Sequence, residues 1–162
     1  MTKFVSEHSN YKGVIVSRFN LQKVNKALTM KSKEIADHII NQFAYIGEEC
    51  VRIARESGSY NDITGNLRSS IGYVILNNGK PVVNGASKTY SGPKGNGEAG
   101  PAAAEALLTQ LQAKFPWGIV LIVCAGMNYA AYVENVRHKD VLTTAELKAE
   151  SLIKQLLKGI VQ

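Results

Sequence analysis

Residues that build disulfide frameworks and metal sites are scarce in this sequence. Its 162 residues include only two cysteines and three histidines. Cys50 and Cys124 lie in helix-like and strand-like apolar contexts, which predicts buried thiols in a reducing cytoplasm rather than a disulfide bridge. No apolar stretch is long enough to cross a bilayer, and Met1–His8 lacks the apolar core of a signal peptide. We therefore expect a protein without a leader or a membrane span.

Positive charge exceeds negative charge, but it is not concentrated. The formal net charge at pH 7 is +6, and it divides into +3 over residues 1–60, +2 over 61–100 and +1 over 101–162. No two Lys or Arg residues are adjacent. This spacing does not predict a dedicated basic groove, although contact with an anionic surface is compatible with it. A small basic nucleic-acid-binding module is therefore retained as the alternative function.

The length predicts a single domain over residues 1–162, which is large enough to bury its own core. Hydrophobic residues make up 45% of the chain and charged residues 20%, a balance that argues against global disorder. Residues 1–11 are polar and are expected to form a flexible N-terminus. The short apolar run Gly13–Val16 predicts a strand.

Apolar periodicity predicts helices near both ends of the chain. Beginning at Asn20, a candidate N-cap, apolar residues recur at helical spacing up to a stop at Ser57-Gly58, with a break expected near Thr29. A later helix is expected to begin at Pro101. Near the C-terminus, Thr143–Glu146 matches a capping box that opens a last helix.

Three strands are predicted between these helices. Residues 70–76 form the first, Asn78-Gly79 supplies the positive φ angles of a tight hairpin, and Pro81–Val83 begins the return strand. The run Ile119–Ala125 has no polar side chain and is predicted to be the central strand, buried on both faces. Residues 85–100 are expected to form a flexible loop. The predicted class is α+β, with a long N-terminal helix, an antiparallel sheet that contains a hairpin, and a C-terminal helix.

No motif predicts a cofactor, a metal or catalysis. Gly95–Gly100 has the spacing G-x-G-x-x-G, but a polar loop rather than a strand precedes it, and the Gly-Lys-Ser/Thr ending of a phosphate loop is missing. Glu134, His138 and Asp140 are close in sequence, yet three such residues in a polar connection are more often solvated than metal-binding. No Gly-x-Ser-x-Gly motif is present. We predict that the chain is not an enzyme.

Two segments resemble a known family. Thr64-Gly-Asn-Leu-Arg-Ser-Ser-Ile71, followed by the hairpin, is similar to the T-G-x-L-R-x-S-I motif of tail-completion proteins of tailed bacteriophages. Tyr129-Ala-Ala-Tyr-Val-Glu134, after an apolar strand, is similar to their Y-A-x-Y-V-E motif. The order of helices, hairpin, strand and C-terminal helix is also similar, over about residues 20–160. Members of that family are head–tail connector, neck or minor capsid components.

The resemblance implies a virion structural protein of the head–tail junction or tail terminus, which works as a ring and has no catalytic activity. Its implied partners are further copies of itself, neighbouring neck and tail-tube proteins, and DNA that passes through the lumen without specific binding. Its implied location is the virion, and the cytoplasm of the bacterial host during assembly. Residues 85–100 and the helix after them resemble an insertion relative to the family.

The same segments have a physical interpretation of their own. Leu67 and Ile71 are expected to pack under the hairpin while Arg68 reaches outward. Tyr129 and Tyr132 are three residues apart, which places them on one face of a helical turn, and their hydroxyl groups need hydrogen-bond partners. Glu134 is expected either to pair with Arg68 or to cap backbone donors. The predicted interface residues come from both segments and from the loop between them: Arg68, Tyr129, Tyr132, Glu134, Lys88, Tyr90 and Lys94.

Overall fold

A computed structural model describes residues 20–85 and 88–160 of the chain. They fall into two compact units, one that ends at Asp37 and one that begins at His38. In the first unit, the described part is Asn20 and the N-terminal half of helix α1 (Leu21–Glu56). The predicted flexible N-terminus and the predicted strand at Gly13–Val16 lie outside the described residues.

Helix α1 begins and ends where the sequence predicts, but the break expected near Thr29 is wrong. Asn20 is the N-cap, because its Oδ1 accepts a hydrogen bond from the backbone N–H of Lys23 at 3.1 Å. Thr29 lies within the helix, where its Oγ1 donates to the carbonyl oxygen of Asn25 at 2.9 Å. The helix continues through this point without interruption.

Three strands form an antiparallel sheet in the order β2-β1-β3. They are β1 (Ile71–Asn77), β2 (Lys80–Gly85) and β3 (Ile119–Ala125). The predicted hairpin is confirmed: Asn78 and Gly79, with φ angles of 50° and 76°, join β1 to β2. With a long N-terminal helix and a C-terminal helix around this sheet, the predicted α+β class is confirmed.

The prediction that residues 119–125 form the central strand is wrong. Strand β1 occupies the centre, and its residues Ile71–Leu76 are all buried. In β3, which lies at an edge of the sheet that the described residues form, only Ile122 and Cys124 are buried and the other side chains are partly exposed. An apolar run indicates that side chains are buried, but the order of strands depends on pairing between distant segments, which the run itself does not record.

Helices cover both faces of the sheet. The remaining helices are α2 (Asn66–Ser69), α3 (Ala99–Gln112), α4 (Ala130–Asn135) and α5 (Thr143–Ile160). Ile71, Tyr73 and Ile75 of β1 pack in one core cluster with Cys50 of α1 and Ala145 of α5.

The other face of the sheet forms a second cluster. Here Val74 and Leu76 of β1 pack against Leu108 of α3, together with Cys124 of β3. Cys50 and Cys124 are therefore on opposite faces, and both are free and buried as predicted. Burial raises the pKa of the Cys124 thiol to about 11. It also raises the pKa of Cys50, with a smaller contribution from Glu49.

Amide hydrogen exchange tests the corrected strand order. In dilute solution we expect the slowest exchange within β1, because it is buried and paired on both sides. The measurement is residue-resolved exchange followed by NMR. Exchange that is equally slow at every residue of β3 would contradict the assignment of β3 to an open edge.

Candidate functional site

The two segments that carry the family resemblance meet at one open groove. One wall is the link Asn61–Leu67, and the other is formed by α4 and the residues on either side of it, Tyr129–Lys139. The volume of the groove is about 810 Å³. We call it the tyrosine groove. The segments are far apart in sequence, and the pairing of β1 with β3 brings their ends together.

Large side chains line the tyrosine groove without being buried in it. Tyr129 is 37% exposed and Tyr132 is 53% exposed, and their spacing of three residues places them on one side of α4. Ile63, on the opposite wall, is 49% exposed. The Tyr129 side chain is partly buried, and this burial raises the pKa of its hydroxyl above the ordinary value of a tyrosine. Aromatic and aliphatic groups exposed together in a concave surface are typical of a protein-binding site.

Charge in the tyrosine groove is predominantly positive. Arg137 and Lys139 are exposed and make no ion pair with any residue in the described part of the chain. Asp62 is the one acidic residue among the described residues that line the groove. Its side chain is mostly buried and lies 3.9 Å from Arg68 Nε. The groove therefore suits a partner surface that is apolar and carries some negative charge.

Beside the groove, the ring of Tyr90 lies close to two guanidinium groups. The centre of the ring is 5.2 Å from Arg55 Cζ and 5.9 Å from Arg68 Cζ, both within range of cation–π attraction. Arg55 is buried, and its Nη2 donates to the carbonyl oxygen of Ile71 at 2.6 Å. Tyr90 thus connects the loop to the start of the central strand.

The middle of the predicted loop is hydrogen-bonded to the link and to α2. The backbone N–H of Tyr90 donates to Ser69 Oγ at 2.7 Å, and that of Lys94 donates to the carbonyl oxygen of Ile63 at 2.9 Å. A Cβ added at Gly97 would lie 2.1 Å from the carbonyl oxygen of Tyr90. This glycine of the G-x-G-x-x-G motif is therefore required for close packing. Flexibility of residues 85–100 stays a prediction.

Glu134 caps the last helix rather than pairing with Arg68. Its Oε1 accepts hydrogen bonds from the backbone N–H of Leu142 at 3.0 Å and of Thr143 at 2.8 Å, and from Thr143 Oγ1 at 2.7 Å. Burial by itself would raise the pKa of Glu134, but these hydrogen bonds outweigh it and lower the pKa. The predicted capping box requires Thr143 Oγ1 to accept a hydrogen bond from the backbone N–H of Glu146. Instead, Thr143 Oγ1 donates to Glu134, and the N–H of Glu146 donates to the carbonyl oxygen of Leu142.

The structure separates the predicted interface residues into distinct places. Tyr129 and Tyr132 line the tyrosine groove, and Glu134 has a structural role at α5. Lys88 is exposed beside Tyr90, at a second depression along α1. Lys94 is also exposed, and its backbone contacts the link.

Sequence reasoning missed Arg55, which holds Tyr90 and the carbonyl of Ile71. Its position four residues after Val51, on the buried side of α1, is the signal that could have found it, because an arginine there needs a buried partner.

Within residues 20–85 and 88–160, no three His, Cys, Asp or Glu side chains are arranged to hold a metal ion. Glu134 and Asp140 both bind backbone N–H groups at the start of α5. No helix in the same ranges has the length and apolar character needed to cross a membrane. Comparison with family models, curated proteins and solved structures gave no match to this chain.

Replacement of Glu134 by alanine tests the cap of α5. We expect it to lower the free energy of unfolding at pH 7 by about 1–2 kcal/mol, the usual cost of losing a cap. Because folding lowers the pKa of this carboxylate from 4.5, its contribution is present above that value and is lost as the pH falls through the folded-state pKa. The difference from wild type in urea unfolding should therefore shrink below about pH 4.

The control for this experiment is Glu105→Ala. Glu105 is exposed on α3, and its side chain makes no hydrogen bond to the described residues. This variant should unfold like wild type at every pH. A Glu134→Ala difference that is constant from pH 7 down to pH 3 would contradict the role of the ionised carboxylate.

Replacement of Tyr90 by alanine tests whether the loop is packed. The variant loses the ring between two guanidinium groups, one of them buried, and we expect the free energy of unfolding to fall by about 2 kcal/mol. Tyr90→Phe keeps the ring and should unfold close to wild type. Urea denaturation measures both. Equal stability of Tyr90→Ala and wild type would show that the loop does not contribute to the folded state.

Proposed function

We propose that the chain is a structural subunit of the head–tail junction or tail terminus of a tailed phage or prophage. The observation that carries this proposal is the tyrosine groove, because both of its walls come from the segments that resemble the tail-completion motifs. Thr64–Leu67 contributes one wall and Tyr129–Val133 the other. Two motifs that the fold brings to one surface support a shared role better than either motif alone.

Exposed apolar side chains in the first unit support a role in assembly. Leu21, Val24, Leu28 and Ile35 of α1 are between 41% and 71% exposed. Their spacing of three, four and seven residues places them on one stripe of the helix. Such a stripe is typical of a helix face that another protein covers.

In this proposal the subunit acts by position and has no reaction to perform. A closed ring needs two different faces on each subunit that meet head to tail. The tyrosine groove is one face, and an apolar, partly acidic surface of the adjoining subunit or of a tail-tube protein is its counterpart. DNA passes through the lumen of the ring without specific binding. The spread of positive charge along the sequence suits this passage, since no two Lys or Arg residues are adjacent and so no basic run would hold the DNA in place.

A genetic experiment in the phage or prophage that carries the gene tests the proposal. Without the gene, we expect filled heads and separate tails, seen by electron microscopy, and no infectious particles. A plasmid copy of the wild-type gene should restore joining. The variant Tyr132→Asp should not, because it places a charge in the apolar part of the groove while the exposed position leaves the fold intact.

The matched control is Leu147→Asp. This residue of α5 is 63% exposed and does not line the groove, so the variant should restore infectivity. Normal particles in the absence of the gene would contradict the structural function. A sub-micromolar, sequence-selective complex of the purified chain with DNA at physiological salt would favour the nucleic-acid-binding alternative instead.

A further inference from the structure

Among the described residues, strand β3 has one row of backbone hydrogen-bonding groups without a partner. The ladder between β1 and β3 is bracketed by two backbone bonds, from Gly126 N–H to the Ser70 carbonyl and from Asn78 N–H to the Gly118 carbonyl. All four of these residues are even-numbered. Along an antiparallel ladder, hydrogen-bonded pairs of residues alternate with pairs that are not hydrogen-bonded, so every second residue of a strand bonds to the same neighbour. The even residues of β3 therefore bond to β1. The odd residues turn their N–H and C=O groups away from it: Ile119, Leu121, Val123 and Ala125.

These outward groups have no partner within residues 20–85 and 88–160, where no backbone or side-chain hydrogen bond reaches them. The opposite edge of the sheet differs. There β2 carries Lys80 and Pro81. Its pairing with β1 also has a bulge, where the register shifts between Ile75 and Leu76 of β1. A charge, a proline and a bulge all discourage pairing with a further strand. Strand β3 has no charge, no proline and no irregularity in its register.

We propose that the edge of β3 is the site at which a second copy of this chain adds its own β3. The two strands run antiparallel about a two-fold axis near Ile122. In the central register Leu121 faces Val123 of the second copy, and Ile119 faces its Ala125. In this register each residue of β3 with outward N–H and C=O groups lies opposite such a residue of the second copy. The outward groups of both strands therefore form hydrogen bonds along the whole strand.

The chemistry of the strand favours a second copy as the occupant. Self-pairing brings no like charges together, since Ile119–Ala125 contains none. The odd side chains all lie on the face toward α1 and α5. There Leu121 and Val123 border an apolar cleft of about 270 Å³ against α5. A strand added at the edge would cover this cleft with side chains of the same kind.

Trp117 is a second observation at the same edge. It is 80% exposed, the highest exposure among the large apolar side chains of the described residues, and it precedes β3 by two residues. In the central register it lies opposite Met127 of the second copy, where a sulfur–aromatic contact would cover it. An indole left in water beside an open strand edge is accounted for by pairing of two copies.

This contact is separate from the proposed function. A two-fold contact joins the same surface of two subunits, whereas a ring needs two different surfaces that meet head to tail. Pairing through β3 therefore adds to the ring contacts and does not depend on them. It can be tested on the purified full-length chain alone.

The experiment uses the single tryptophan of the chain as its probe. With rising protein concentration, sedimentation equilibrium should show a monomer–dimer transition, and Trp117 emission should shift to the blue over the same range. Amide exchange should slow at Leu121 and Val123 on dimerisation, while exchange at Ile122, which is already bonded to β1, should change little. These measurements require no variant.

Two proline variants locate the contact. Val123→Pro removes an outward N–H that has no role in the ladder, and by symmetry it acts twice, so dimerisation should weaken roughly tenfold or more. Asn84→Pro is the matched control. In β2, Gly85 and Val83 bond to Tyr73 and Ile75, which leaves the N–H of Asn84 outward on the blunted edge. This variant should dimerise like wild type.

Three results would overturn the proposal. The first is a chain that stays monomeric at all concentrations. This includes the case in which the outward amides of β3 are protected from exchange even in dilute solution, because other residues of the same chain would then cover the edge. The second is a dimer whose Trp117 emission and β3 amides do not change. The third is a dimer that Val123→Pro leaves intact. Failure of the head–tail function in the genetic experiment would leave all three measurements unaffected.

Discussion

Burial of β1 on both of its faces is the constraint on which the rest of the structure depends. The residues Ile71–Leu76 are inaccessible to solvent, and the hairpin, α1, α3, α5 and β3 all contribute to covering them. Tyr73 shows how little room is left. A Cβ added at Gly47 would lie 2.5 Å from its ring, and one at Gly85 would lie 1.9 Å from it. The tyrosine hydroxyl donates to Glu48 Oε1 at 3.0 Å, so the polar end of this buried side chain has a partner.

Buried polar groups near β1 set the positions of the functional segments. Arg55 holds the carbonyl of Ile71 and the ring of Tyr90, and Ser70 Oγ accepts the N–H of Met127 at 3.2 Å. The start of the central strand is thereby joined to the loop on one side and to the approach to α4 on the other. The two walls of the tyrosine groove, Asn61–Leu67 and Tyr129–Lys139, lie next to this junction in the sequence.

Local chemistry explains which parts of the fold could be predicted from the sequence. The hairpin follows from Asn78-Gly79 and the start of α1 from Asn20, because each depends on backbone geometry within a few residues. The order of the strands could not be predicted in this way. Ile119–Ala125 is the more apolar run, yet Ile71–Asn77, which contains Gly72 and Asn77, occupies the centre because it pairs on both sides.

The candidate site was predictable in part for the same reason. The shared face of Tyr129 and Tyr132 is a property of one helical turn. The contact of Tyr90 with Arg55 and Arg68 joins residues far apart in sequence, and neither periodicity nor composition records it. Glu134 is an intermediate case. Its cap on α5 spans eight or nine residues, across a turn in which His138 has a φ of 51°.

Three apolar surfaces remain uncovered in the described residues: the stripe on α1, the tyrosine groove and the edge of β3. Hydroxyl-radical footprinting of the free chain and of the chain in intact particles tests most directly whether this protein is a building block of an assembly. We expect Tyr132 to be oxidised readily in the free chain and protected in particles, whereas buried Tyr73 is protected in both. Absence of the chain from purified particles, or equal oxidation of Tyr132 in the two samples, would contradict it.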